Sequence, residues 1–183
     1  MVQHYRNKPG DGFTIAELLM VMMIIGIVSA IVPAVINNHD RLEVEAAGSQ
    51  LASMLTYAQS RAVTRQERLQ MVFNPCADSY ELQAEDGAVL DDPVKHMPYG
   101  VSNPQQFQMK MDFPNTKQFR QVKITQADFD GSETIWFDQL GAPHGGSICA
   151  GAGPMSSGVI ALLCGSETIT LSVEPITGKV QVQ

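Results

Sequence analysis

A single carboxylate stands at the edge of a long apolar run. Glu17 is followed by 19 residues without charge, residues 18–36, reading Leu-Leu-Met-Val-Met-Met-Ile-Ile-Gly-Ile-Val-Ser-Ala-Ile-Val-Pro-Ala-Val-Ile. An ionisable group at such a border is costly to desolvate, so it demands a cationic partner or a function. The other reactive side chains are dispersed. Cys76, Cys149 and Cys164 are not closely spaced, and His39, His96 and His144 lie far apart, so no metal-ligand pattern forms. No Gly-x-Ser-x-Gly elbow frames a serine. Gly145-Gly146-Ser147-Ile148-Cys149-Ala150-Gly151 is glycine-rich but lacks a phosphate-binding lysine, and reads as a loop. The expectation is a protein that is not an enzyme, with no catalytic residue, no metal and no cofactor.

The cysteines suggest a cross-link instead. Cys149 and Cys164 flank 14 intervening residues. In an oxidising compartment a disulfide between them would contribute about 3 kcal/mol through loop entropy. Sequence alone permits three pairings, and the one expected leaves Cys76 over.

The elements that carry these groups follow from composition and pattern. With 183 residues, 44% hydrophobic and 17% charged, the chain has room for one folded domain and an extra segment. A net charge of −7 makes nucleic acid a poor default partner, because that affinity comes mainly from phosphate neutralisation. As a helix, the apolar run would span roughly 28 Å, close to a bilayer core. It is longer than the apolar part of a typical secretory signal, and no clear small-x-small cleavage site follows it. Arg6 and Lys8 precede it, whereas Asp40, Glu43 and Glu45 outweigh Arg41 beyond it. That asymmetry keeps the N-terminus in the cytoplasm and exports the remainder. A plain signal anchor would need nothing like Glu17.

Gly12-Phe13-Thr14-Ile15-Ala16-Glu17-Leu18-Leu19 joins a polar leader directly to the apolar run, and it resembles the type III signal of type IV pilins and pseudopilins. The resemblance implies cleavage by a prepilin peptidase between Gly12 and Phe13, N-methylation of Phe13, and retention of the apolar segment. It also puts Glu17 at the fifth mature position, where the family glutamate pairs with the N-terminal amine of a neighbouring subunit during assembly. A carboxylate four residues along a helix lies on the same face, one turn away. Implied boundaries are a leader over residues 1–12, a transmembrane and filament-stem helix over 13–36, and a periplasmic pilin-like domain over 37–183. The last divides into a helical part, 37–66, and a β-rich part, 67–183.

Pro33 is expected to kink or loosen the stem. Beyond it Leu51, Leu55, Ala58 and Ala62 recur at helical spacing, so one long helix is expected from about Phe13 to about Gln66. Strands are expected at 69–73, 80–84, 106–113, 121–126, 134–137, 159–163, 168–173 and 179–182, with turns at Asp86-Gly87, Asp130-Gly131 and Thr177-Gly178. Residues 91–104 read as a loop. Residues 141–158 hold six glycines and two prolines, so a long irregular surface segment is expected there. A helix followed by many short antiparallel strands gives an α+β domain with the sheet packed on the helix.

Three later segments narrow the resemblance. Ala58-Gln59-Ser60-Arg61-Ala62-Val63-Thr64-Arg65 is similar to the helix end of the GspH/FimT-type minor pilins and pseudopilins. Ile135-Trp136-Phe137-Asp138-Gln139-Leu140-Gly141 resembles their strand and turn, and Pro175-Ile176-Thr177-Gly178-Lys179-Val180 their closing hairpin. Such a protein is a structural subunit of a type IV pilus-like filament that helps to start assembly. The equivalent subunit of a type II secretion pseudopilus shares these motifs, and a DNA-uptake pilin is a third possibility. The implied partners are other pilins or pseudopilins at a filament tip, the prepilin peptidase and the bacterial inner membrane, crossed once with the C-terminal domain in the periplasm.

DNA is not expected as a partner. DNA-binding members carry a glycine-arginine-x-arginine hairpin where this chain reads Gly178-Lys179-Val180-Gln181. A lysine lacks the planar fork of arginine, and a glutamine brings no charge. Loss of the leader removes Arg6, Lys8 and Asp11 and leaves 10 basic and 18 acidic residues, a net of −8. Arg61, Arg65 and Arg68 are read as a solvated helix face or as pairing with Glu67 and nearby acids.

Overall fold

The structure is a computed structural model that describes residues 14–36, 39–91, 109–116, 119–148 and 153–183, with side chains in the first stretch up to Ser29. The chain divides into two compact units, residues 1–39 and 40–183.

The first unit is built on helix α1, Ile15–Ile36. Leucine, methionine, isoleucine and valine occur on every side of it, and Ile15, Leu18 to Ile25, Ile27 and Val28 are all exposed. A helix apolar all round has no preferred inner face and needs an apolar environment on all sides. Ser29 turns its hydroxyl back to the Ile25 carbonyl at 2.7 Å, so even this polar group is satisfied within the helix.

Helix α2, His39–Arg65, lies in the second unit from Asp40 onward, and its buried stripe is Val44, Ala47, Gly48, Leu51, Leu55, Ala58 and Ala62. The expected i, i+4, i+7 pattern is therefore the packed face. The helix stops in a Schellman turn. Gln66 adopts φ 54°, and the Glu67 N–H closes onto the Ala62 carbonyl at 3.2 Å. Residues 37 and 38, where α1 and α2 would join into the expected single helix, lie outside the described residues.

Nine strands follow among the described residues: β1 Leu69–Asn74, β2 Ser79–Ala84, β3 Lys110–Asp112, β4 Lys123–Phe129, β5 Thr134–Phe137, β6 Pro143–Gly145, β7 Gly158–Cys164, β8 Glu167–Val173 and β9 Val180–Val182. They form two antiparallel sheets, ordered β3-β2-β1-β5-β6 and β4-β7-β8-β9. The α+β class is thus as expected, with two sheets where a single sheet was foreseen. One core joins them to α2, and Phe73 links Tyr80 at 5.8 Å to Phe129 at 5.4 Å between ring centres. Gly48 faces β8: a Cβ there would run into Ile169 Cδ1, the tip of a side chain that would have to turn aside.

Two expectations change. The described residues of this segment, 141–148 and 153–158, are not simply an irregular surface segment. Pro143–Gly145 forms β6 against β5, and Ile148 and Met155 are buried. The glycines there serve close packing as well as turning, since a Cβ on Gly145 would lie 2.6 Å from the Phe129 carbonyl oxygen. The strand expected over 121–126 is shifted to Lys123–Phe129, with a bulge at Thr125. Of the strand expected over 106–113, Lys110–Asp112 is observed and residues 106–108 lie outside the described residues, as do 92–104 of the expected loop.

Candidate functional site

The site begins at the first turn of α1. The Thr14 hydroxyl accepts the Glu17 N–H at 3.2 Å, and the Thr14 carbonyl accepts the Leu18 N–H at 3.1 Å. Thr14 is therefore the N-cap, and Glu17 is the third residue of the helix. Threonine followed three residues later by glutamate is the sequence signature of a capping box. That signal is present in the octapeptide, beside the features that carry its resemblance to a prepilin signal. Glu17 is exposed and carries its charge in the first turn, where a carboxylate is favoured by the helix dipole. Gly12 and Phe13 lie outside the described residues. Among the residues whose side chains are described, no helix is long and apolar enough to cross a membrane. The uncharged run continues in sequence to Ile36.

The three segments that carry the later resemblance meet at one side chain. Gln59 Nε2 donates to the Gly141 carbonyl at 2.8 Å and to the Thr177 carbonyl at 2.6 Å. Gly141 has φ +83° and Gly178 φ +67°, the left-handed region that favours glycine. A Cβ on either would also press on this corner, 2.8 Å from Val63 Cγ2 and 2.6 Å from Gln59 Nε2 respectively. The turn before Gly141 is pinned by Asp138 Oδ1, which accepts N–H groups from Leu140 at 2.9 Å and Ala142 at 2.8 Å. Partial burial opposes ionisation of Asp138, but these two donors and His144 hold its carboxyl below the usual carboxylate range.

The basic side chains at the end of α2 are largely committed. Arg61 Nε bonds Glu67 at 2.8 Å, the pairing expected, and its guanidinium also reaches the Tyr57 hydroxyl at 3.3 Å. Arg68 reaches Glu85 at 3.4 Å and lies over the Trp136 ring, 5.8 Å from its centre. Of the cysteines, Cys164 is a buried free thiol at the end of β7 and Cys76 an exposed one. Burial and the nearby Glu43 and Asp40 carboxylates push the Cys164 thiol up to about 11. Cys149, its expected disulfide partner, lies outside the described residues.

The family described as the prokaryotic N-terminal methylation motif matches residues 11–33. The chain thus carries a prepilin-type N-terminus, on the octapeptide and apolar run that carry the resemblance. No curated protein matches the sequence. Among solved structures, the chain is similar to the type IV minor pilin FimU of Pseudomonas aeruginosa, with 16% identity over 78% of this chain and 90% of that one, at a TM-score of 0.47. It is also similar to the minor pseudopilin EpsH of the type 2 secretion system of Vibrio cholerae, with 6% identity over 77% and 96% of the two chains, at a TM-score of 0.48.

Proposed function

We propose that the chain is a minor pilin, a non-catalytic subunit of a type IV pilus-like filament that helps to start assembly. The observation that carries this reading is the methylation motif over residues 11–33, set on a capped helix with apolar side chains on all its faces. A prepilin peptidase removes residues 1–12 and Phe13 is methylated. Residues 13–36 hold the subunit in the inner membrane with the following domain in the periplasm, and the same helix later becomes the filament stem. Its partners are other pilins. Cleavage leaves a positive amine one residue before the Thr14 cap, at the positive end of the helix dipole, where it is poorly placed. The Glu17 carboxylate of a neighbour offsets that charge, and a subunit in the wrong register leaves both charges unpaired.

The test is Glu17→Gln. Glutamine keeps the capping-box chemistry of its own helix but removes the charge. Cleavage after Gly12 should persist, while recovery of the subunit in sheared filaments falls by about tenfold, the equivalent of one modest charge interaction. Undiminished recovery of Glu17→Gln would show that Glu17 serves only its own helix.

A further inference from the structure

We propose that Thr14 is a positioning residue for leader removal: its cap stops α1 short of the Gly12–Phe13 bond and so leaves that bond to the peptidase as non-helical chain. This rests on the filament-subunit reading above and names the residue that presents the bond to be cut.

A single donor decides where the helix begins. A helix started one residue earlier would need the Glu17 N–H for the Phe13 carbonyl, in the i to i−4 pattern. The Thr14 hydroxyl takes that N–H instead, at 3.2 Å. The first helical backbone bond is then Leu18 N–H to the Thr14 carbonyl at 3.1 Å, and α1 opens at Ile15. An N-cap residue has non-helical dihedral angles, so the chain leaves the helical path at Thr14. The bond between residues 12 and 13 precedes that point. The matched methylation motif starts at residue 11 and spans both the bond and the cap. Glu17 enters here through its backbone N–H and not through its carboxylate.

The leader holds a competitor for this cap. Asp11 belongs to the same class of N-cap residues as threonine. With Asp11 as cap, Gly12 and Phe13 would be the first two residues of the helix, and the bond to be cut would lie inside its first turn. Hydrolysis breaks the Gly12 C–Phe13 N bond, adds the hydroxyl of water to the Gly12 carbonyl carbon and leaves a proton on the Phe13 nitrogen. Cleavage concentrates in exposed, irregular chain, and a bond inside a helical turn has to unwind before a peptidase can enclose it. Two residues oppose that helical start. Gly12 is a poor helix former, and Thr14 holds the donor that the longer helix needs.

The experiment follows leader removal from the full chain in its own cells after a pulse of labelled synthesis. The rate is read from the ratio of cut to uncut chain in the membrane fraction, so a loss of chain does not mimic slow cutting. Thr14→Ala should slow removal about fivefold, the weight of one N-cap. Thr14→Ser keeps the hydroxyl and should be cut at the original rate. Asp11→Ala added to Thr14→Ala takes away the competing cap and should restore most of the rate. An unchanged rate for Thr14→Ala overturns the proposal, as does a Thr14→Ser chain as slow as Thr14→Ala. Failure of Asp11→Ala to restore the rate overturns it too, because the peptidase then reads the Thr14 side chain itself. Each of these outcomes leaves the filament reading standing when the original chain is cut before Phe13. An original chain that is never cut there rejects both.

Discussion

Gln59 holds together parts of the chain that are far apart in sequence. Its two acceptors lie 82 and 118 residues away. Nothing local in Ala58-Gln59-Ser60 announces this, because a polar residue on a helix is most simply read as solvated. Gly141 and Gly178 were readable as turn residues, but not that both press on one amide. Gln59→Ala should cost about 1–3 kcal/mol, since two carbonyls lose their donor and one of them is partly buried. Urea denaturation of the chain measures it, and a change below a few tenths of a kcal/mol would show that water replaces the amide fully. Thr14 was more legible. Thr-x-x-Glu marks a helix start in any sequence, and its hydroxyl does accept the Glu17 N–H.

The elements were legible where periodicity is strong. Leu51, Leu55, Ala58 and Ala62 mark a helical stripe, and each is fully buried. The strands at Thr134–Phe137 and Glu167–Val173 were read to within a residue, because β-branched residues are concentrated there. β6 was not legible. Pro143-His144-Gly145 has turn-forming residues at both ends and no alternation, and it is a strand only because β5 offers it an edge and Gly145 allows the close approach to Phe129. The division of the strands into two sheets is equally non-local, since it depends on which edges pair. Gly48 shows the same limit within a well-predicted helix. Glycine inside a helix is ordinarily a weakness, yet here it admits Ile169 of β8. Gly48→Val should therefore destabilise by about 1–3 kcal/mol through overpacking, despite the gain in helix stiffness. A thermal melt that shifts upward instead would show that the Ile169 side chain turns aside at little cost.

The two units differ in kind as well as in fold. Residues 40–183 bury one core between α2 and two sheets, whereas α1 presents apolar side chains on every face and has no core of its own. A helix of that composition is stable only where lipid or other helices surround it. The net charge of −7, the pairing of Arg61 and Arg68 with glutamates, and the glutamine at position 181 leave little unpaired basic charge for phosphate contacts there. The subunit proposed above would have its N-terminus made by processing, its first helix shared between membrane and filament, and its folded domain facing its neighbours. Mass analysis of the N-terminal peptide, from chain extracted out of the membrane of its own cells, tests this most directly. The peptide should begin at Phe13 and weigh one methyl group more than its sequence. A peptide retaining Met1, or one beginning beyond Ile36, would contradict it.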